Sequence, residues 1–202
     1  MSKYHDIIKL LRTTESTLVI GSGLYKELGY PPYYDYQPDR YKVSIKEKKR
    51  PLYKENRSRC TDLRDDIAVY MGIVKELYDL GIFDHIVEFS PYCLTKCVIN
   101  DVNCLLLDRR DKSLVEIGSS VDYQKYRETL IDLMSSETIV VMGVSPHLSP
   151  LNMLVLLPKI KDAALIVIDS SYNPYCEIAD FCVKQSIIGF LRNIHESLAV
   201  SL

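Results

Sequence analysis

The sequence has no apolar run long enough to cross a bilayer. Its longest uncharged apolar stretches are about ten residues, against the ~20 that a spanning helix needs. The N-terminal stretch, Met1 to Leu11, carries Lys3, His5, Asp6 and Lys9. It therefore lacks the apolar core of a signal peptide, which predicts a cytoplasmic protein with no membrane partner. Net charge is also nearly missing. The 25 Lys and Arg and 27 Asp and Glu leave −2, so no global field draws the chain to nucleic acid or anionic lipid. None of the six cysteines, at positions 60, 93, 97, 104, 176 and 182, belongs to a Cys-x-x-Cys pair. That argues against zinc or another structural metal, and the six read as reduced thiols. There is no internal repeat. What remains is 202 residues, 47% hydrophobic and 26% charged, the size and composition of one globular domain over 1–202. A disordered chain, a coiled coil and a collagen-like repeat are excluded.

The charge that is present is unevenly placed. Arg40 to Arg64 holds ten Lys and Arg and three Asp and Glu, a local +7 that leaves −9 on the rest. Seven of the fifteen tyrosines lie between Tyr25 and Tyr53, with Pro31, Pro32, Pro38 and Pro51 among them. Clustered charge, Pro and Tyr without an apolar period predict a long loop, here the basic segment 30–64 inserted in the domain. It reads as a cover over a ligand edge. Nucleic-acid binding through Lys48, Lys49 and Arg50 with base stacking on Tyr41 and Tyr53, or a protein partner, are the alternatives.

The remainder alternates helix and strand. Ile7, Ile8, Leu10 and Leu11 mark a first helix. Thr17 to Ile20 is a short strand running into Gly21-Ser22-Gly23. Leu63 to Leu80 places Ile67, Met71, Val74 and Leu77 on one stripe, ended by Gly81. Strands are expected at 85–89, 103–108, 138–143, 164–169 and 181–183, and helices at 123–134, 151–160 and 186–198. Several strands are continuous apolar runs. Such strands are buried on both faces, which predicts an α/β fold: a doubly wound, Rossmann-like parallel sheet with helices on each side.

Three strand ends carry candidate ligand chemistry. Gly21, Ser22 and Gly23 allow close backbone approach to a phosphate, although the full G-x-G-x-x-G is missing. Gly143 and Ser145 open a second turn, where a serine donates to phosphate or ribose. Asp169 ends a third strand, where an acid accepts from ribose hydroxyls. Ligands of open α/β sheets bind along this edge, so these six residues are the candidate cofactor-binding set. Each also has a plainer reading: a tight turn for Gly21 and Gly23, a helix N-cap for Ser145, an ordinary loop for Asp169. Candidate acid–base residues are Glu88, at a strand end, and His147, in the serine turn; a solvated or paired carboxylate and a polar loop or capping residue are the alternatives. Cys93 and Cys97, at i, i+4 spacing, read as small buried hydrophobes.

The same residues resemble the sirtuins. Gly21-Ser22-Gly23-Leu24, followed by Gly29-Tyr30-Pro31 and Tyr33, is similar to the sirtuin opening Gly-Ala-Gly-Ile-Ser, Ser-Gly-Ile-Pro and Phe-Arg. Gly143-Val144-Ser145 with Pro150 resembles Gly-Thr-Ser-Leu-x-Val-x-Pro, and Asp169 falls where sirtuins carry an Asn. Ala179 to Val183 is similar to their closing Ala-Asp-Leu segment. The departures fall on the chemistry. Phe89-Ser90-Pro91-Tyr92 stands in place of Gln-Asn-Ile-Asp. Leu114-Val115-Glu116-Ile117-Gly118-Ser119 resembles Glu-Leu-His-Gly-Ser without its histidine. Tyr34 replaces the arginine, and the zinc module's cysteine pairs are missing. The resemblance implies a large sirtuin-type domain that keeps an edge for NAD or ADP-ribose and has lost deacylation. The alternatives are an NAD-consuming glycohydrolase or ADP-ribosyl transferase with a rearranged site, and a ligand-free scaffold.

Overall fold

The computed structural model describes residues 3–29, 65–90, 93–105, 123–146 and 151–199. Its elements follow the apolar pattern closely. Helix α1 (Lys3–Thr13) leads to β1 (Ser16–Gly21), α2 (Ser22–Glu27), α3 (Asp65–Asp79) and β2 (His85–Phe89). A 3-10 turn (Leu94–Cys97) and β3 (Val102–Cys104) come next, then α4 (Tyr123–Ser135), β4 (Thr138–Met142), α5 (Leu151–Ile160) and β5 (Ala164–Ile168). A second 3-10 turn (Pro174–Glu177), β6 (Phe181–Val183) and α6 (Ile187–Ala199) close the chain. The expected basic segment 30–64, Leu114 to Ser119, His147 and Pro150 lie outside the described residues.

The six strands form one sheet in the order β3-β2-β1-β4-β5-β6. Every pairing is parallel. The order runs outward from β1 to one side and then from β4 to the other, so the winding reverses between β1 and β4. That gap is where a doubly wound sheet takes a ligand.

The period of two along each strand divides the core. Leu18 and Ile20 of β1, Val140 and Met142 of β4, and Ile166 and Ile168 of β5 face one layer. That layer is made by Ile7 and Leu11 of α1, Leu24 and Tyr25 of α2, Ile67, Met71, Val74 and Leu77 of α3, and Phe190, Leu191 and Ile194 of α6. Val19, Ile139, Val141, Leu165 and Val167 face the other, against Leu133 of α4 and Leu154 and Val155 of α5. The central strands are apolar on both faces because helices cover both. Each fully buried Leu, Ile or Phe is worth about 1.5–3 kcal/mol of transfer free energy, so these stripes decide which face each helix presents. Gly81, at φ +67°, ends α3: its amide donates to Tyr78 O and the Ile82 amide to Leu77 O, both at 2.9 Å.

Candidate functional site

The carboxyl ends of β1, β4 and β5 meet around three glycines. Gly21 closes β1, and a Cβ there would lie 2.2 Å from the carbonyl oxygen of Gly143. A Cβ on Gly23 would lie 2.6 Å from Gly143 Cα. The Gly23 amide donates to Gly143 O at 3.0 Å, and Gly143 takes φ +59°. The two turns therefore touch backbone to backbone, which side chains would prevent.

In front of them lies a cavity of about 540 Å³. It is lined by Ser22, Gly23, Gly143, Ser145 and Asp169, with Lys26 and Glu27 from α2 and Asn173 beyond β5. Five of the six residues expected at a ligand edge line this one cavity. Gly21 is packed behind it. The Gly23 amide, expected to face a phosphate, is already spent on Gly143 O. Side chains on the cavity wall able to donate to an anion include the exposed Lys26 ammonium and the hydroxyls of Ser22 and Ser145.

Asp169 is half-buried and held by its own loop. Its Oδ1 accepts from the Ser171 amide at 3.0 Å and the Ser171 hydroxyl at 2.8 Å, and its Oδ2 accepts from Asn173 Nδ2 at 3.1 Å. Asn173, only 3% exposed, also donates to Val144 O at 3.1 Å and accepts from the Tyr175 amide at 3.1 Å. It ties the β4 turn to the β5 turn. Sequence reasoning missed it, although Asn followed by Pro174 is a turn signal. Glu27 was missed as well. Its two oxygens accept from the amides of Ile187 and Ile188 at 3.0 and 3.2 Å, so its charge sits on the N-terminus of α6.

Glu88 is somewhere else. The alternation along β2 turns Ile86 and Glu88 toward the α3 layer, while Val87 and Phe89 face the opposite one. The carboxyl is wholly buried and is not among the residues lining the cavity, so it is a paired carboxylate rather than a solvated one. Tyr25 Oη donates to Glu88 Oε1 at 2.7 Å, the Ser90 hydroxyl donates to the same oxygen, and the Thr95 amide donates to Oε2 at 3.3 Å. Burial raises the Glu88 pKa, and these donors oppose that rise. Burial and the adjacent carboxyl hold the Tyr25 hydroxyl well above its usual range.

The cysteines are another correction. None of the described ones is free. Cys93 meets Cys104 with a Cα–Cα distance of 6.0 Å, and Cys176 meets Cys182 at 5.2 Å. In each pair a strand cysteine, Cys104 on β3 or Cys182 on β6, meets one at a 3-10 turn. Where no metal donors were expected, Glu88, Cys93 and Cys104 place their ligand atoms within 4.8 Å of one another.

Comparison with known proteins agrees with this geometry. No protein-family model matches the chain. An NAD-dependent protein deacetylase of Oceanobacillus iheyensis is 27% identical over 106 residues, 52% of this chain and 45% of that protein. The match thus spans less than half of the deacetylase's length. A solved structure of Sir2 with p53 peptide and NAD+ superposes with a TM-score of 0.74 at 14% identity, covering 98% of this chain and all of that one (100%). Sir2 in complex with the inhibitor EX-527, 2'-O-acetyl-ADP-ribose and deacetylated p53 peptide gives 0.78 at 15% identity, over 97% and 99% of the two chains. The fold is a doubly wound parallel sheet. More narrowly, it is similar to the fold of the solved Sir2 structures. Among the described residues, no helix is long and apolar enough to cross a membrane.

Proposed function

We propose that this sirtuin-like domain binds NAD or ADP-ribose through the adenosine diphosphate half and does not deacylate. The observation that supports it most is the cavity at the β1–β4 reversal, whose volume of about 540 Å³ falls in the roughly 300–1,000 Å³ range of small-molecule sites. In this reading Lys26 faces the diphosphate, and the Ser22 and Ser145 hydroxyls donate to phosphate or ribose oxygens. Asp169, pre-oriented by Ser171 and Asn173, accepts from a ribose hydroxyl. The glycines keep Cβ atoms out of the space. The loss of deacylation rests on sequence: Leu114 to Ser119 lacks the histidine of the sirtuin motif, and Phe89 and Ser90 replace its amides.

Calorimetric titration of the full chain with NAD, ADP-ribose and AMP tests the binding. The same NAD mixture is assayed for free nicotinamide and for deacetylation of an acetyl-lysine peptide. Saturable binding with an unchanged peptide and no nicotinamide beyond a protein-free control is expected. No heat with any of the three nucleotides at millimolar concentration refutes the binding, and nicotinamide release would make the protein an NAD-consuming enzyme.

A further inference from the structure

Glu88 is the buried carboxylate of this fold: among the described residues, no other charged side chain is fully enclosed. Its contacts are the hydroxyls of Tyr25, Ser90 and Thr95 and the Thr95 amide, and no ammonium or guanidinium group among the described residues reaches it. A carboxylate buried without a cation is unfavourable unless it takes up a proton or acquires a positive partner.

Two sulfurs stand beside it. The β2–β3 register sets Cys104 directly opposite Glu88. Across the turn after β2, Cys93 takes the left-handed conformation at φ 46°, its amide donating to the Ser90 hydroxyl at 3.2 Å. Both cysteines are buried. Soft thiolates combined with one carboxylate suit a borderline cation of the zinc class, whereas calcium and magnesium call for oxygen donors alone. Thiolates about 2.3 Å from a tetrahedral ion lie roughly 3.8 Å apart, which the 6.0 Å Cα separation accommodates.

We propose that, in the reduced protein, Glu88, Cys93 and Cys104 hold one divalent cation of the zinc class. Tyr25 and Thr95, which donate to the carboxylate, orient it as outer-shell partners do in metal sites. No fourth His, Cys, Asp or Glu joins the group among the described residues, and three side chains leave one position of a tetrahedral ion for a further ligand. The ion offsets the buried charge and joins β2, β3 and the 3-10 turn through Tyr25 to α2. That helix also carries Ser22, Gly23 and Lys26 on the cavity wall. A Cys93–Cys104 disulfide is the competing state: it removes both thiolates and leaves Glu88 without a cation.

The test uses the full chain prepared with a phosphine reductant and without nucleotide, so its result does not depend on nucleotide binding. Zinc content is measured by mass spectrometry, and cobalt(II) is titrated into the metal-stripped protein. One equivalent of zinc is expected, as are the visible bands of tetrahedral cobalt with thiolate-to-metal charge transfer in the near ultraviolet. Cys93→Ser and Cys104→Ser each weaken the charge-transfer band, while Cys176→Ser retains it. Glu88→Gln weakens zinc about tenfold or more, by analogy with the loss of partners at other metal sites. The cobalt spectrum of the unaltered chain stands even if a variant fails to fold. Two free thiols without metal, or a Cys93–Cys104 disulfide recovered from the reduced preparation, would overturn the proposal.

Discussion

Replacing Gly143 by alanine probes the contact on which the whole cavity edge is built. The new methyl group would sit 2.6 Å from Gly23 Cα and 2.8 Å from Ile187 Cδ1. Ile187 Cδ1 is the end of a flexible side chain and moves at little cost. Gly23 is backbone, and moving it shifts the start of α2. Alanine at φ +59° costs about 1–2 kcal/mol for the left-handed conformation, and forcing a methyl into a packed site costs about 1–3 kcal/mol more. The expected loss is therefore roughly 2–5 kcal/mol, a large part of the ~5–15 kcal/mol that holds a domain folded. At about 2–4 °C per kcal/mol for a chain of this size, the melting midpoint falls by roughly 4–20 °C. Gly72 is the control. It lies within α3, and an added Cβ there meets nothing within 4 Å, so Gly72→Ala stabilises by about 0.5–1 kcal/mol through helix propensity. Thermal and urea unfolding of both variants, followed by circular dichroism, read these opposite signs. Equal midpoints in the two variants would refute the claim that backbone contact between Gly23 and Gly143 builds the edge.

The remaining predictions use the same geometry. Glu27→Ala removes the acceptor for the Ile187 and Ile188 amides and should cost about 1 kcal/mol in urea unfolding, as loss of a helix cap does; an unchanged midpoint would contradict it. Tyr175 is 3% exposed and its hydroxyl has no partner among the described residues, with burial raising its pKa to about 12. Tyr175→Phe should therefore be neutral or stabilise by up to about 1 kcal/mol, and a clear loss of stability would show that the hydroxyl is satisfied. Burial pushes Asp180 upward, but hydrogen bonds from Lys159 Nζ and the Leu165 amide outweigh it and hold the carboxyl below its usual value. Because the folded pKa is the lower one, this contribution is complete above the ordinary Asp range and fades as pH falls through the folded value. Asp180→Asn should flatten the acid limb of a stability–pH curve, and an unaltered limb would argue against it.

Most of the sheet was legible because its physics is local. Apolar runs such as Thr138 to Met142 and Ala164 to Ile168 have to be buried on both faces, and that condition implies parallel strands between helix layers. Helix α5 and strands β2 and β6 fall where the period and their glycine and charge punctuation place them. The convergence of Gly23, Gly143, Ser145 and Asp169 also followed, since it depends on strand ends sharing one edge of an open sheet. What depends on register or on a distant partner was not legible. Glu88 at a strand end reads as solvent-facing. Its burial becomes intelligible only with Tyr25, 63 positions earlier, donating to it. The Cys93–Cys104 pair requires the β2–β3 alignment, which no spacing rule contains. The Gly23 amide looked available to a ligand because its partner, Gly143 O, lies 120 positions away along the chain.

Nucleotide recognition at the β1–β4 reversal is the central claim, and mapping ADP-ribose on the amide resonances of isotope-labelled protein tests it most directly. Saturable shifts concentrated at Ser22 to Lys26, Gly143 to Ser145 and Asp169 to Asn173 are predicted. No shifts at millimolar ADP-ribose, or shifts confined to residues away from this edge, would contradict it.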